Sequence, residues 1–157
     1  MPVTIGLISD THGLLRPEVA SAFQGVEFIL HAGDVGGADV LTELRMVAPV
    51  HAVYGNCDDP WTPGLDATYR LTSSGWSIVV THGHQIRRLT PESLLRQYDD
   101  ADIIVYGHTH RPLVHRDDKR IVINPGAAGP GRFDIRPSVA RLTLFEGRAD
   151  VEHLGLS

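Results

Sequence analysis

Apolar runs of strand length punctuate this chain, and most of them stop at polar residues of a few recurring kinds. Val3–Ile8 runs into Ser9-Asp10-Thr11-His12, Val26–Leu30 into His31-Ala32-Gly33-Asp34, and Val50–Tyr54 into Gly55-Asn56-Cys57-Asp58. Further on, Ile78–Val80 leads to Thr81-His82-Gly83-His84, Ile103–Tyr106 to Gly107-His108-Thr109-His110, and Ile121–Ile123 to Asn124-Pro125-Gly126. Several runs are continuous rather than alternating, as in strands covered on both faces. Helical patterns separate the early ones. Pro17 marks a helix start ahead of Val19, Ala20, Ala22 and Phe23, a position where its fixed φ suits the first turn. Ala38–Val47 sets Val40, Leu41, Leu44 and Val47 on one face, and Pro91–Tyr98 does the same with Leu94, Leu95 and Tyr98.

The last quarter reads differently. Val139, Arg141, Thr143 and Phe145 alternate with Ala140, Leu142 and Leu144, and Ala149–Leu154 follows a turn at Glu146-Gly147. Such alternation belongs to half-buried antiparallel strands. The front of the chain is thus expected to form β-α units, and the back, from Ile121 on, an antiparallel meander. Both halves fit an α/β sandwich with a mixed sheet, or two packed sheets flanked by helices. With no linker or repeat in sight, residues 1–157 are expected to form one domain.

Hydrophobic residues at 42% and charged residues at 21% are ordinary globular values and exclude disordered, collagen-like and coiled-coil chains. No apolar run approaches the roughly 18 residues of a membrane span. The N-terminus, Met-Pro-Val-Thr-Ile-Gly, has no basic region, so neither a membrane segment nor a signal peptide is expected. Cys57 has no second cysteine to pair with, which suits the reducing cytoplasm, the expected location. A net charge of −5 argues against gripping extended nucleic acid through a basic surface.

The nine histidines are more distinctive, because several sit with the Asp and Asn residues at the ends of apolar runs. In open α/β sheets, sites form beyond the carboxyl ends of the strands. Strand ends that deliver Asp10, His12, Asp34, Asn56, His82, His108 and His110 to one edge predict a convergent site. Asp10/His12 and His108/His110 are i, i+2 pairs, which share a face if those segments are extended. Seven oxygen and nitrogen donors are too many for one ion with an open position. They suit two ions about 3.5–4 Å apart that share a carboxylate, the clamp used for in-line attack on phosphorus. The donors fit Mn²⁺, Fe²⁺, Ni²⁺ or Zn²⁺, and the lack of thiolate clusters argues against a closed structural zinc site. Two divalent ions against the carboxylates of Asp10 and Asp34 would leave a cationic pocket in an acidic protein, attractive to phosphate.

Taken together and in order, these motifs resemble the signature of the calcineurin-like metallophosphoesterases. The short chain and its Gly55-Asn56-Cys57-Asp58 variant resemble the small YfcE-like phosphodiesterase family within that superfamily. The resemblance implies a four-layer αββα sandwich, two mixed β-sheets flanked by helices, with a dinuclear metal centre. It implies that Asp10, His12 and His110 hold one ion, that Asn56, His82 and His108 hold the other, and that Asp34 bridges both. A hydroxide between the ions would attack phosphorus in line, with Asn56 helping to stabilise the phosphoryl oxygens. Mn²⁺ is the expected ion, with Ni²⁺, Fe²⁺ or Zn²⁺ as alternatives. The expected substrate is a small phosphate ester, a diester ahead of a monoester, with nucleotides among the candidates. Relatives are often dimers or larger, which leaves homo-oligomerisation open. The competing reading is a non-catalytic binding module, because a subunit of the retromer complex has this fold. Such proteins tend to lose ligand residues, whereas all seven stand here.

Cys57 departs from the pattern, because many family members have His there, thought to assist the phosphoryl group or leaving oxygen. A thiol is a poor replacement donor unless its pKa is lowered, so activated aryl esters are expected to be favoured. Other polar residues carry two readings each. His31 either orients a metal ligand from behind or is a buried histidine bonded to backbone. Asp58 supports the site or closes its own turn, His84 approaches substrate or faces solvent, and Arg111 touches phosphate or is solvated. The segment Cys57–Thr68, which includes Trp61, is the stretch available for a lid. Trp76 reads as strand core, and His51, His115 and His153 as structural or exposed.

Overall fold

A computed structural model describes residues 2–131 and 134–156. In chain order it contains β1 (Val3–Ile8), α1 (Glu18–Ala22), β2 (Phe28–His31), α2 (Ala38–Arg45), β3 (Val50–Val53), β4 (Leu65–Asp66), β5 (Thr68–Ser73) and β6 (Trp76–Thr81). There follow α3 (Pro91–Gln97), β7 (Ile103–Val105), β8 (Leu113–Asp117), β9 (Arg120–Asn124), β10 (Ser138–Phe145) and β11 (Arg148–Gly155).

The first sheet has the order β11-β10-β1-β2-β3-β4, and the second β5-β6-β7-β9-β8. Strands β1 to β4 run parallel, with the antiparallel hairpin β10–β11 added beside β1. In the second sheet β6, β7 and β9 are parallel, and β5 and β8 close the edges antiparallel. Side chains alternate along each strand, which sorts them into separate cores. Ile5 and Leu7 of β1 meet Ile78, Val80, Ile103, Val105, Ile121 and Ile123 between the sheets. Ile8 instead joins Val19, Phe23, Leu41 and Leu44 beneath α1 and α2. On the far side, Leu94 and Leu95 of α3 cover Val79, Ile104 and Val122. The result is the four-layer α/β arrangement with two mixed sheets. Truncating a fully buried Leu or Ile here should cost about 2–5 kcal/mol.

Local signals explain the helix positions. Thr90 Oγ1 accepts from the Ser93 N–H at 3.1 Å, while Ser93 Oγ accepts from the Thr90 N–H at 2.9 Å. This reciprocal cap, followed by Pro91, fixes the start of α3. The back of the chain differs from the expected meander. β9 lies in the second sheet, parallel to β7, and only β10 and β11 form the antiparallel hairpin. The burial differs accordingly: Ile121–Ile123 is buried throughout, between α3 and the other sheet, whereas β10 is fully buried on the face of Ala140, Leu142 and Leu144 and only partly along Arg141, Thr143 and Phe145. The edge strands β4, β5 and β8 escaped the sequence pattern because they are short or only partly buried. No helix among the described residues is long and apolar enough to cross a membrane.

Candidate metal centre

Loops leaving the carboxyl ends of β1, β2, β3, β6 and β7 meet at one edge of the sandwich. Backbone pairing continues past the strands, with the Asp10 N–H donating to Gly33 O and the His12 N–H to Asp34 O, both at 2.9 Å. The segment after β9 crosses to the same edge, where the Ala128 N–H reaches Ser9 O at 2.9 Å. The Asp10/His12 and His108/His110 segments are not extended, so the shared-face condition does not apply to them. Asp10 (φ 55°), His12 (47°), Asp34 (54°), His108 (71°) and His110 (65°) all take the left-handed conformation, five of the seven non-glycine cases among the described residues. Each such residue costs on the order of 1–3 kcal/mol and persists only where its surroundings impose it.

These kinks bring the side chains together. Asp10 Oδ1 lies 3.8 Å from His12 Nε2, 3.4 Å from His110 Nε2 and 3.9 Å from His82 Nε2. Asp34 Oδ2 lies between two histidines, 3.7 Å from His12 Nε2 and 3.3 Å from His82 Nε2. Asn56 Oδ1 faces His82 Nε2 at 3.1 Å, and the His108 ring packs edge-on to His82 with centroids 5.1 Å apart. All seven expected donors thus gather at one edge.

Second contacts leave one free oxygen on each carboxylate. Asp10 Oδ2 accepts from Ser9 Oγ at 2.7 Å and from the His108 N–H at 3.1 Å, whereas Oδ1 is buried without a hydrogen-bond partner. Asp34 Oδ1 accepts from the Cys57 N–H at 2.8 Å, leaving Oδ2 toward the histidines. His82 Nδ1 donates to Ala32 O at 2.8 Å, so a neutral His82 turns a bare Nε2 toward two acceptor oxygens. Acceptor against acceptor at 3.1–3.3 Å is repulsive unless a proton on Nε2 or a metal ion stands between them.

The protonation balance carries the same signature. Burial pushes His82 down, but the Asp34 hydrogen bond and the charges of Asp10 and Asp34 overcome it and raise its pKa. Burial pushes Asp10 up, yet the contacts with His110, His82 and Ser9 hold it below the usual carboxylate range. Asp34 is likewise held low, against burial, by His82 and the Cys57 N–H. The cluster binds a positive charge, as a proton or as a metal ion. Its hard oxygen and imidazole donors, with the unpartnered Asp10 Oδ1 and His12 Nε2, fit a first-row divalent ion.

Residues 3–147 match the model of the calcineurin-like phosphoesterase superfamily domain. The chain belongs to that superfamily. A probable metallophosphoesterase of Methanothermobacter thermautotrophicus is 36% identical over 155 residues, covering 94% of this chain and 90% of that protein. The phosphodiesterase YfcE of Escherichia coli is 31% identical over 150 residues, 76% of each chain. Among solved structures, wild-type Vps29 of Entamoeba histolytica complexed with zinc aligns with a TM-score of 0.79 at 26% identity, covering 99% of this chain and 100% of that one. The family is metal-dependent, which agrees with the donors gathered in this calcineurin-like centre.

Around the centre, several residues hold the loops in place. His31 is fully buried and its pKa falls to about 4, chiefly through burial. It is therefore neutral, and its ring ties Thr11 Oγ1 (3.0 Å) to the Gly33 N–H (3.1 Å), while Thr11 donates to Val35 O. Asp58 accepts from the N–H groups of Val35, Gly36 and Gly55, clamping the β2 and β3 loops together. Gly55 and Gly107 leave room for the carboxylates, since a Cβ on Gly55 would overlap Asp34 and one on Gly107 would overlap Ser9 Oγ. Asn124 was outside the candidate set. Its buried amide donates to Gly107 O (3.2 Å) and Thr109 Oγ1 (3.0 Å) and accepts from the Gly126 N–H, fixing the turn that carries His108 and His110. Its place at the end of an apolar run, before Pro125-Gly126, is the signal that marks it.

The remaining candidates divide. Cys57 is exposed at the rim, with Sγ within 4.8 Å of ligand atoms of His12 and Asp34. Burial first, and then the Asp34 charge, raise its thiol pKa. His84 is half-buried with its ring 5.4 Å from His82, and burial and then His82 lower its pKa. Arg111 is exposed. Away from the centre, His51 stacks on Tyr69 at 4.6 Å and His153 meets Asn124 O at 2.8 Å. Trp76 is half-buried, packs against the core between the sheets and donates to Phe145 O, while Trp61 is 89% exposed.

Proposed function

We propose that this protein is a dinuclear metal-dependent phosphodiesterase, with Mn²⁺ the expected ion and Ni²⁺, Fe²⁺ or Zn²⁺ able to replace it. Asp10, His12 and His110 would hold one ion and Asn56, His82 and His108 the other, with Asp34 Oδ2 serving both. When bound, such a pair activates water and polarises the phosphoryl group for in-line attack. The rest falls to the chain's own backbone and side-chain groups. Ala32 O holds the His82 tautomer, Ser9 Oγ holds Asp10, and the Cys57 N–H holds Asp34, so that each presents its free donor inward. Both carboxylates stay ionised at neutral pH and only partly offset two divalent charges, which favours an anionic ester. With Asn56 Oδ1 turned to His82 and one amide hydrogen donated to Cys57 Sγ at 3.7 Å, the second amide hydrogen is the donor left for a phosphoryl oxygen. The raised Cys57 pKa makes the thiol a weak acid, so departing groups that need little protonation suit this site.

The observation that carries this reading is the convergence of His82 Nε2, Asn56 Oδ1 and Asp34 Oδ2 within 3.1–3.3 Å, beside the unpartnered Asp10 Oδ1. The names of relatives, metallophosphoesterase and phosphodiesterase, support small phosphate esters as substrates. Loading with Mn²⁺ should produce turnover of bis-p-nitrophenyl phosphate that a chelator abolishes and fresh Mn²⁺ restores. The likeness to Vps29 favours a second reading, a binding module of the same fold. Metal binding without turnover would select it.

A further inference from the structure

A groove of about 280 Å³ opens beside Cys57, between the loop after β2 and the segment that carries β4. Val35, Gly36, Ala38, Leu41, Thr62 and Leu65 form its walls, which are mostly apolar. Cys57 belongs both to its rim and, with His12 and Asp34, to the centre. Groove and centre therefore adjoin at Cys57, within reach of a group bonded to a phosphorus held at the centre. Its charge is one-sided. No Lys, Arg or His lines it, while Asp58 and Asp59 do. The Asp58 carboxylate is fixed by its three backbone donors and cannot turn away from an incoming anion. Its size matters as well, since pockets for drug-sized ligands begin at about 300 Å³.

We infer that this groove receives one ester substituent of the substrate, an uncharged and largely apolar group about the size of a single ring. It thereby selects organic phosphodiesters over esters whose substituent carries further anionic groups. The inference rests on the phosphoesterase reading of the adjacent centre. Burying such a ring lowers free energy in proportion to the apolar area covered, whereas bringing an anion past Asp58 and Asp59 costs affinity.

The test uses the wild-type protein loaded with diamagnetic Zn²⁺ and two non-chromogenic probes, methyl phenyl phosphate and dimethyl phosphate, followed by backbone amide NMR. Methyl phenyl phosphate should shift the amides of Val35, Ala38, Leu41 and Thr62, and dimethyl phosphate should not. Methyl 4-carboxyphenyl phosphate should need about tenfold more ligand for the same shifts. Ala38→Phe and Thr62→Phe fill the groove from opposite walls and touch no residue of the centre. Each should raise KM for bis-p-nitrophenyl phosphate on the order of tenfold while leaving kcat within about twofold. Turnover by the wild type without shifts in the groove, or unchanged KM in both variants, would overturn the groove and leave the enzyme reading standing. Groove shifts in a protein that hydrolyses no ester would sink the enzyme reading and keep the groove as a binding site for apolar phosphate esters.

Discussion

The two ends of the sandwich are built from the same strands, yet they carry opposite chemistry. At the end where the parallel strands begin, a cavity of about 460 Å³ lies between Trp76, Asp102, Arg116, Lys119 and Arg148. Several of its polar groups are engaged. Asp102 accepts from the Ser77 N–H, Arg116 donates to Ala149 O, and Arg148 covers the Phe145 ring at 4.2 Å and meets Asp150 at 3.5 Å. At the end where those strands finish, the groove is smaller, about 280 Å³. Yet the buried side-chain atoms without partners among the described residues, on Asp10, His12, His84 and His110, all belong to that end. So do five of the seven left-handed non-glycine residues; the other two, Ser74 and Asp118, sit in turns of the far end. Chemistry here follows unsatisfied donors and imposed backbone strain, and volume is a poor guide to it.

Substitutions sharpen this contrast. Asp34→Asn removes the carboxylate between His12 and His82, and should abolish measurable turnover and reduce bound metal to about one ion per chain by elemental analysis. Full turnover in that variant would break the comparison at its strongest point.

The next effect is on stability. In the metal-free protein His31 is neutral with its pKa lowered to about 4, against 6.5 for an ordinary histidine. Its contribution is complete above pH 6.5 and is lost as pH falls toward 4, a difference of roughly 3 kcal/mol. His82 has the opposite sign: its raised pKa means its contribution is present below 6.5 and fades as pH rises through the folded value. Asp10 and Asp34, both lowered, lose theirs only below the ordinary carboxylate range. Denaturant titrations at pH 7 and 4.5 should therefore show a smaller loss in acid for His31→Gln than for the wild type. An equal loss in both would contradict the assignment.

Asn124→Ala unties the turn that carries His108 and His110, and should weaken metal binding ten- to a hundredfold by calorimetry. Cys57→His should raise turnover of unactivated alkyl phosphodiesters about tenfold, by supplying a stronger acid at the rim; no change or a loss counts against that role. Smallest of all, Lys119→Ala at the far end should alter stability by less than about 0.5 kcal/mol and leave turnover unchanged.

Much of this was legible in the chain because burial and chemistry alternate along it. Runs such as Ile103–Tyr106 are apolar enough to mark a strand, and their abrupt ends expose the donors. The left-handed conformations were not legible, since Asp10, His12, His108 and His110 are ordinary L-residues whose φ is imposed by tertiary pairing. Nor was the switch of sheets between β9 and β10, because contiguous strands carry no local mark of which sheet they join. The edge strand β5 stayed hidden because Thr68–Ser73 alternates between partly buried and exposed residues. Asn124 was visible as the end of an apolar run, but its role emerges only once β9 is seen to lie beside β7.

Anomalous diffraction from crystals soaked in Mn²⁺ tests the central claim most directly. Two peaks about 3.5–4 Å apart are expected, with Asp34 Oδ2 between them, Asp10, His12 and His110 around one, and Asn56, His82 and His108 around the other. A single peak, or none among these side chains at saturating metal, would contradict it.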